Sequence, residues 1–167
     1  MQKDPNAAVL VMPAASAPLR ADERLFSYRE RFRLLRYLFK KEIAQGSVVL
    51  SWLERRLPQP NYTIHTLDAL KKFCFQKPIL AIGADQAEKI QYWQSSSTLI
   101  QNYEFLIFAR NGVGVDTPLK LPTGMHYTLV DDFDENISAT KVRASLFKLS
   151  YKERFSAAVN NFRGMAR

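Results

Sequence analysis

Apolar residues fall in short runs along this chain, and the runs alternate with amphipathic stretches. Residues 8–12 (AVLVM), 47–51 (SVVLS), 78–82 (PILAI), 105–109 (FLIFA) and 127–130 (YTLV) have the length and β-branched content of strands. The run at 78–82 is continuous and ends in Gly83, which predicts a fully buried strand followed by a turn. Between the runs, residues 26–44 set Phe32, Leu35, Leu38, Phe39 and Ile43 at helical spacing beneath a strongly basic opposite face. Residues 63–75 place Ile64, Leu67, Leu70 and Cys74 on one side of a second helix, with Thr63 as a candidate cap. Residues 87–93, 96–103, 139–149 and 151–162 read as further helices. The stretch around Pro58 and Pro60 reads as a loop, as does the stretch carrying Gly112, Gly114, Pro118, Pro122 and Gly124.

This alternation predicts an α/β fold, a Rossmann-like parallel sheet with helices on both faces. The length of 167 residues and a hydrophobic content of 47% suit one domain over residues 1–167, with residues 1–7 as a disordered lead-in. The chain shows no internal repeat and no low-complexity linker.

Charge changes the picture next. The 24 Lys and Arg outnumber the 16 Asp and Glu, and the net charge of +8 points to anionic partners. The basic face of residues 26–44, with Arg29, Arg31, Arg33, Arg36, Lys40 and Lys41, suggests nucleic acid, although a solvated face is the commoner meaning of such a run. A single cysteine and two histidines exclude a disulfide framework within the chain and offer no zinc cluster, so no protein metal site is expected. The first residues loosely mimic a secretory signal, but Asp4 and Pro5 interrupt it, and no run approaches the roughly 20 apolar residues of a membrane span. A soluble, cytoplasmic protein is the expectation. Nothing in the sequence addresses oligomeric state.

Ligands of open α/β sheets bind beyond the carboxyl ends of the strands. Four stretches fall at such ends here: PAASAPLR, GADQAEKIQYW, ARNG and NISATKVR. In the last, Ser138 is placed to cap a helix, leaving the N–H groups of residues 139–141 free, with Thr140 adding a hydroxyl and Lys141 and Arg143 adding charge. Cations oppose the helix dipole at that end, so a bound phosphate accounts for them. The alternative is an ordinary N-cap whose cations are solvated or neutralised by Asp131, Asp132, Asp134 and Glu135. Asp85, after a strand and a glycine, can accept bonds from ribose hydroxyls or cap the following helix. Trp93 offers a flat face to a ring or fills core. Arg110 at a strand end reaches a phosphate or makes a surface salt bridge.

The order of these stretches resembles the nicotinate- and nicotinamide-nucleotide adenylyltransferases of the nucleotidyltransferase superfamily, and most closely the bacterial nicotinate-nucleotide enzymes. Ile137, Ser138, Thr140 and Arg143 are similar to the family's I-S-S-T-x-x-R motif, with Ala139 replacing one serine. NYTIHTLDAL resembles its S-Y-T-x-x-T-L segment, ILAIGADQAEKIQYW its strand with G-x-D and a later Trp, FLIFAR its strand ending in Arg, and PAASAPLR its P-x-x-x-x-P-H-K loop, with Leu19 and Arg20 for His and Lys.

The resemblance implies adenylyl transfer from ATP, with Mg²⁺, to nicotinate mononucleotide, giving the dinucleotide precursor of NAD. It implies that Ser138, Thr140, Lys141 and Arg143 hold the ATP phosphates, with Arg143 acting in catalysis. Asp85 would hold the adenosine ribose, Tyr62, Thr63 and Trp93 the pyridine nucleotide, and Arg110 its phosphate. The family's first strand, its G-G-x-F-D-P loop and its H/T-x-G-H motif have no counterpart in the sequence, and residues 1–45 contain no glycine. Thr123–His126 (TGMH) sits too late in the chain to stand in for them, and His65 is expected at the surface or at a pocket edge. As they stand, the residues imply slowed turnover, and the departure has three readings: a first residue internal to a longer reading frame, a nucleotide-binding relative that acts as a sensor or partner subunit, or missing groups supplied from elsewhere.

Overall fold

The computed structural model describes residues 7–16, 26–73, 77–109, 117–131, 156–157 and 159. The chain divides into two compact units, Met1–Asn61 with Ser138–Arg167, and Tyr62–Ile137. Among the described residues every strand pairing is parallel, with two strands in the first unit and three in the second.

In the first unit, β1 (Val9–Val11) pairs with β2 (Val48–Leu50) in the register Val9↔Val48 to Val11↔Leu50. The crossover is helical, as parallel neighbours require. It begins with α1 (Tyr28–Leu38), opened by a capping box in which the Ser27 hydroxyl accepts from Glu30 N and the Glu30 carboxylate accepts from Ser27 N. The helix expected over 26–44 is broken at Phe39, beyond which α2 (Lys40–Ala44) continues. Phe39 N donates to Leu35 O and Ile43 N to Phe39 O, so Phe39 closes one helix and opens the next with a non-helical backbone between them. Phe32 is buried, and its ring stacks on Trp52 at 3.8 Å between centroids. A short helix, α3 (Leu53–Arg56), follows β2 ahead of the stretch at Pro58 and Pro60, in residues for which the sequence pattern predicts no element.

Arg29, Arg33 and Arg36 stand at i, i+4 and i+7 on the outer side of α1, all exposed. Like charges at this spacing each cost about 0.2–0.5 kcal/mol, so α1 is held by its cap and its buried face rather than by surface ion pairs.

The loop after β1 is fastened by side chains from distant positions. Arg31 donates from Nη1 to Ala14 O at 2.8 Å, Ala15 N donates to the Glu54 carboxylate at 3.2 Å, and Ser16 N donates to Asn61 Oδ1 at 3.0 Å. Asn61 is buried and returns bonds from Nδ2 to Glu54 O and Pro58 O, and from its backbone N to Ser16 O. Replacing Asn61 with Ala leaves a buried donor and several acceptors unpaired, at about 1–3 kcal/mol. A urea titration of Asn61→Ala is expected to show a loss of that size at unchanged m-value, and a loss below about 0.5 kcal/mol would mean that water replaces the side chain. Beside this loop the Tyr28 hydroxyl is shut off from solvent with no hydrogen-bond partner. Burial and the nearby Glu54 carboxylate push its pKa up against the opposing pull of Arg31 and Arg55, so Tyr28 stays a neutral phenol.

In the second unit, α4 (Thr63–Leu70) buries Ile64, Thr66, Leu67 and Leu70. It is capped at Tyr62 by backbone alone, so Thr63 is the first helical residue and not the cap. The helix is shorter than the pattern over 63–75 predicts: residues 71–73 are turn, and Cys74 lies outside the described residues. Strands β3 (Leu80–Gly83), β4 (Glu104–Phe108) and β5 (His126–Val130) pair in that order. The central strand β4 alternates, with Phe105 and Ile107 fully buried, and the crossover supplies Ile90 and Leu99 to the same core. β3 is an edge strand of this sheet, and its Leu80 and Ile82 are only half-buried while Ala81 is exposed. The fully buried strand expected at 78–82 is corrected accordingly, because burial of an apolar run depends on having neighbours on both sides. The crossover contains α5 (Ala84–Ala87), a 3₁₀ turn (Ile90–Tyr92) and α6 (Ser96–Asn102), in place of a continuous helix over 87–93. No helix among the described residues is long and apolar enough to cross a membrane. The helices expected over 139–149 and 151–162 lie outside the described residues, except that 156, 157 and 159 are helical.

Candidate nucleotide site

The register of the three-stranded sheet sets Gly83 opposite Phe108 and Phe108 opposite Val130. All three strands therefore end on one line, and the residues that follow them emerge side by side: Ala84 and Asp85 after β3, Ala109 after β4, and Asp131 after β5. Ala109 N donates to Val130 O at 2.9 Å and carries the pairing one residue further, so β4 delivers the chain to position 110 at this edge. Arg110 itself, with Ser138, Thr140, Lys141 and Arg143, lies outside the described residues, as do Leu19 and Arg20.

Asp85 is exposed in the first turn of α5 and does not cap it; Gly83 occupies the cap position and no side chain bonds there. The carboxylate folds back over Gly83 instead. A Cβ built on Gly83 would stand 2.8 Å from Asp85 Oδ1, closer than real Cβ contacts allow. The other oxygen, Oδ2, accepts from Gln86 Nε2 at 3.1 Å. An exposed carboxylate held over a glycine at a strand end is placed to accept two hydroxyl protons of a ribose.

Trp93 follows the 3₁₀ turn and is half-buried, with its backbone tied by Trp93 N to Ile90 O and by Ser96 N to Trp93 O. Its indole is thus neither pure core nor loose surface. At the start of α4, Tyr62 and Thr63 are half-buried, and the Tyr62 ring meets the His65 imidazole edge-on at 5.6 Å. His65 is exposed, as expected. The TGMH stretch forms the turn into β5, with Gly124 at φ +83 in the left-handed region that glycine tolerates, and Met125 buried. Among the described residues, Asp85, Trp93, Tyr62 and Thr63 thus all belong to the second unit. The Glu54 and Asn61 anchors of the loop after β1 were not anticipated; an asparagine directly before the Tyr-Thr pair was the available signal.

A parallel sheet whose strand ends present an exposed carboxylate and a half-covered indole has the architecture of a nucleotide-binding α/β protein. The cytidylyltransferase-like family model matches residues 2–145 and runs through both units. The chain is 32% identical over 138 residues to the probable nicotinate-nucleotide adenylyltransferase of Porphyromonas gingivalis, covering 82% of this chain and 68% of that one. It is 34% identical over 98 residues to the probable nicotinate-nucleotide adenylyltransferase of Bacteroides fragilis, covering 58% of this chain and 47% of the relative, so it spans about half of the latter's length. Among solved structures, a Plasmodium falciparum nicotinic acid mononucleotide adenylyltransferase complexed with NaAD superposes with a TM-score of 0.64 at 14% identity, covering 92% of this chain and 80% of that one, which shows a shared fold. The chain belongs to the cytidylyltransferase-like nucleotidyltransferases and, within them, to the nicotinate-nucleotide adenylyltransferase family.

Proposed function

We propose that the protein transfers the adenylyl group of ATP to nicotinate mononucleotide, releasing pyrophosphate and forming nicotinate adenine dinucleotide for NAD synthesis in the cytoplasm. The observation that carries this reading is the Asp85 carboxylate folded over Gly83 at the end of β3, on a chain 32% identical to a protein named for that activity. A phosphate oxygen of the mononucleotide attacks the α-phosphorus of ATP, and the bond to the β-phosphate breaks with pyrophosphate as the leaving group. No protein nucleophile is required, so the chain contributes position and charge.

In this reading Asp85 accepts the adenosine ribose hydroxyls, and Trp93 with Tyr62 and Thr63 encloses the pyridine nucleotide. Arg110 takes the pyridine nucleotide's phosphate. Ser138, Thr140, Lys141 and Arg143 hold the triphosphate. ATP enters as its magnesium complex, in which phosphate oxygens and water are the ion's main ligands. Both units together form the one nucleotidyltransferase domain. The alternative reading is a sensor or partner subunit that binds the same nucleotides without turning them over.

Calorimetry tests the binding half of the proposal: ATP and nicotinate mononucleotide are both expected to bind, and a chain that binds neither contradicts both readings. Gly83→Ala gives a sharper check. The new methyl group displaces the Asp85 carboxylate, an easily moved side-chain end, so stability should change little while ATP affinity falls about tenfold, as for a lost hydrogen bond to a charged group. Unchanged ATP affinity in that variant would remove Asp85 from the site.

A further inference from the structure

We propose that the outer face of α1 and the start of α2 bind the phosphate backbone of double-stranded nucleic acid without regard to base sequence. Arg29, Arg33, Arg36 and Lys40 fall at i, i+4, i+7 and i+11, and all four are exposed. Arg29, Arg33 and Arg36 form a stripe about 10 Å long on α1 at 1.5 Å per residue, and Lys40 opens α2 just beyond the break at Phe39.

The stripe lacks the interspersed carboxylates of an ordinary solvated helix. Glu30 is engaged in the cap and Glu54 on Ala15 N, and none of the four cations is ion-paired with a described residue. Like charges set in a row on a helix gain from a polyanion laid along them, and a duplex carries one negative charge per about 1.7 Å of its axis.

The other side of α1 decides between possible polyanions. A helix that lies on a lipid surface inserts its apolar face. Here that side is packed, with Phe32 buried and stacked on Trp52, and the exposed aromatic surface near it, at Tyr37 and Trp52, is too small for a helix to insert. Single strands are held by a series of aromatic rings on which successive bases stack, and α1 offers one exposed ring beside the stripe, Tyr37. A rigid duplex backbone is the polyanion that a straight row of three arginines, with Lys40 beyond them, fits. The surface uses none of the residues assigned to the nucleotide site.

The test is fluorescence anisotropy of the full chain with a labelled random duplex of about 20 base pairs, titrated between about 50 and 200 mM KCl. Four neutralised phosphates predict a slope of log Kobs against log [KCl] of about −3.6, a fall of about 10²-fold over that range. Arg33→Gln/Arg36→Gln should halve the slope and reduce the fall to about tenfold, with the same far-ultraviolet circular dichroism and the same adenylyl transfer as the parent. Arg29→Gln/Lys40→Gln should do the same, which guards against a fold defect in either variant. The proposal is overturned by no duplex binding at the lowest salt, by a slope that neither variant changes, by tighter binding to a single strand of equal length, or by capture on vesicles of about 30% phosphatidylserine without duplex binding.

Discussion

Arg143→Ala is expected to lower kcat/KM for adenylyl transfer by about 10²–10³, while the affinity for nicotinate mononucleotide stays near the parent value. The size follows from what the reaction asks of the protein. Charge builds on the phosphates as the α-phosphorus changes partners, and in the proposed reading the Arg143 guanidinium, at the helix start expected from the sequence, would meet that charge with a planar fork of donors. Lys141→Ala should cost less, since an ammonium acts as a point charge without the bidentate geometry. Steady-state kinetics with ATP varied at saturating mononucleotide separates the two. Equal, small effects from both substitutions would mean that these cations only solvate the helix and that the triphosphate lies elsewhere.

The second large effect is expected at Asp85. Truncation to Ala removes a carboxylate that accepts from ribose hydroxyls, and charge-assisted bonds contribute about 1.5–3 kcal/mol, so ATP should bind about 10- to 100-fold more weakly. Asp85→Asn keeps one acceptor oxygen and should fall between the parent and the Ala variant. Because Asp85 is exposed and caps nothing, neither change should lower the urea midpoint appreciably. A loss of stability comparable to the loss of affinity would instead make Asp85 a structural residue.

Much of this was legible in the sequence for a definite reason. Short β-branched runs separated by amphipathic stretches specify strands and crossovers by period alone, so all five strands lie within two residues of their expected bounds. The end of β3 could be read as a site because a strand, a glycine and an acid in succession leave the acid at a carboxyl edge. Other features depend on tertiary neighbours and left little local trace. The half-exposure of Leu80 and Ile82 follows from β3 having one partner strand, which no run of residues encodes. α3 is four residues long, too short for any periodicity, and the break at Phe39 leaves the apolar spacing of residues 26–44 intact. The bonds that join Asn61 to Ser16 span 45 positions and exist only once β1 and β2 are paired. The departure at Asn61, where the family pattern has serine, marks that place without revealing its partner.

The helix start that the sequence predicts in residues 136–143, outside the described residues, connects the sequence to the chemistry, since Lys141 and Arg143 would oppose its dipole unless an anion lay there. In the proposed reading Asp85 and Trp93, on the described part of the second unit, would supply the ribose and ring contacts that a dinucleotide product needs. The measurement that tests adenylyl transfer most directly is pyrophosphate release by the purified chain with ATP, magnesium and nicotinate mononucleotide, followed alongside chromatographic detection of the dinucleotide. Release of one pyrophosphate per nicotinate adenine dinucleotide formed, dependent on the mononucleotide and lost in Arg143→Ala, is the predicted result. Calorimetric binding of both nucleotides with no pyrophosphate released would contradict it and leave the chain a nucleotide-binding relative.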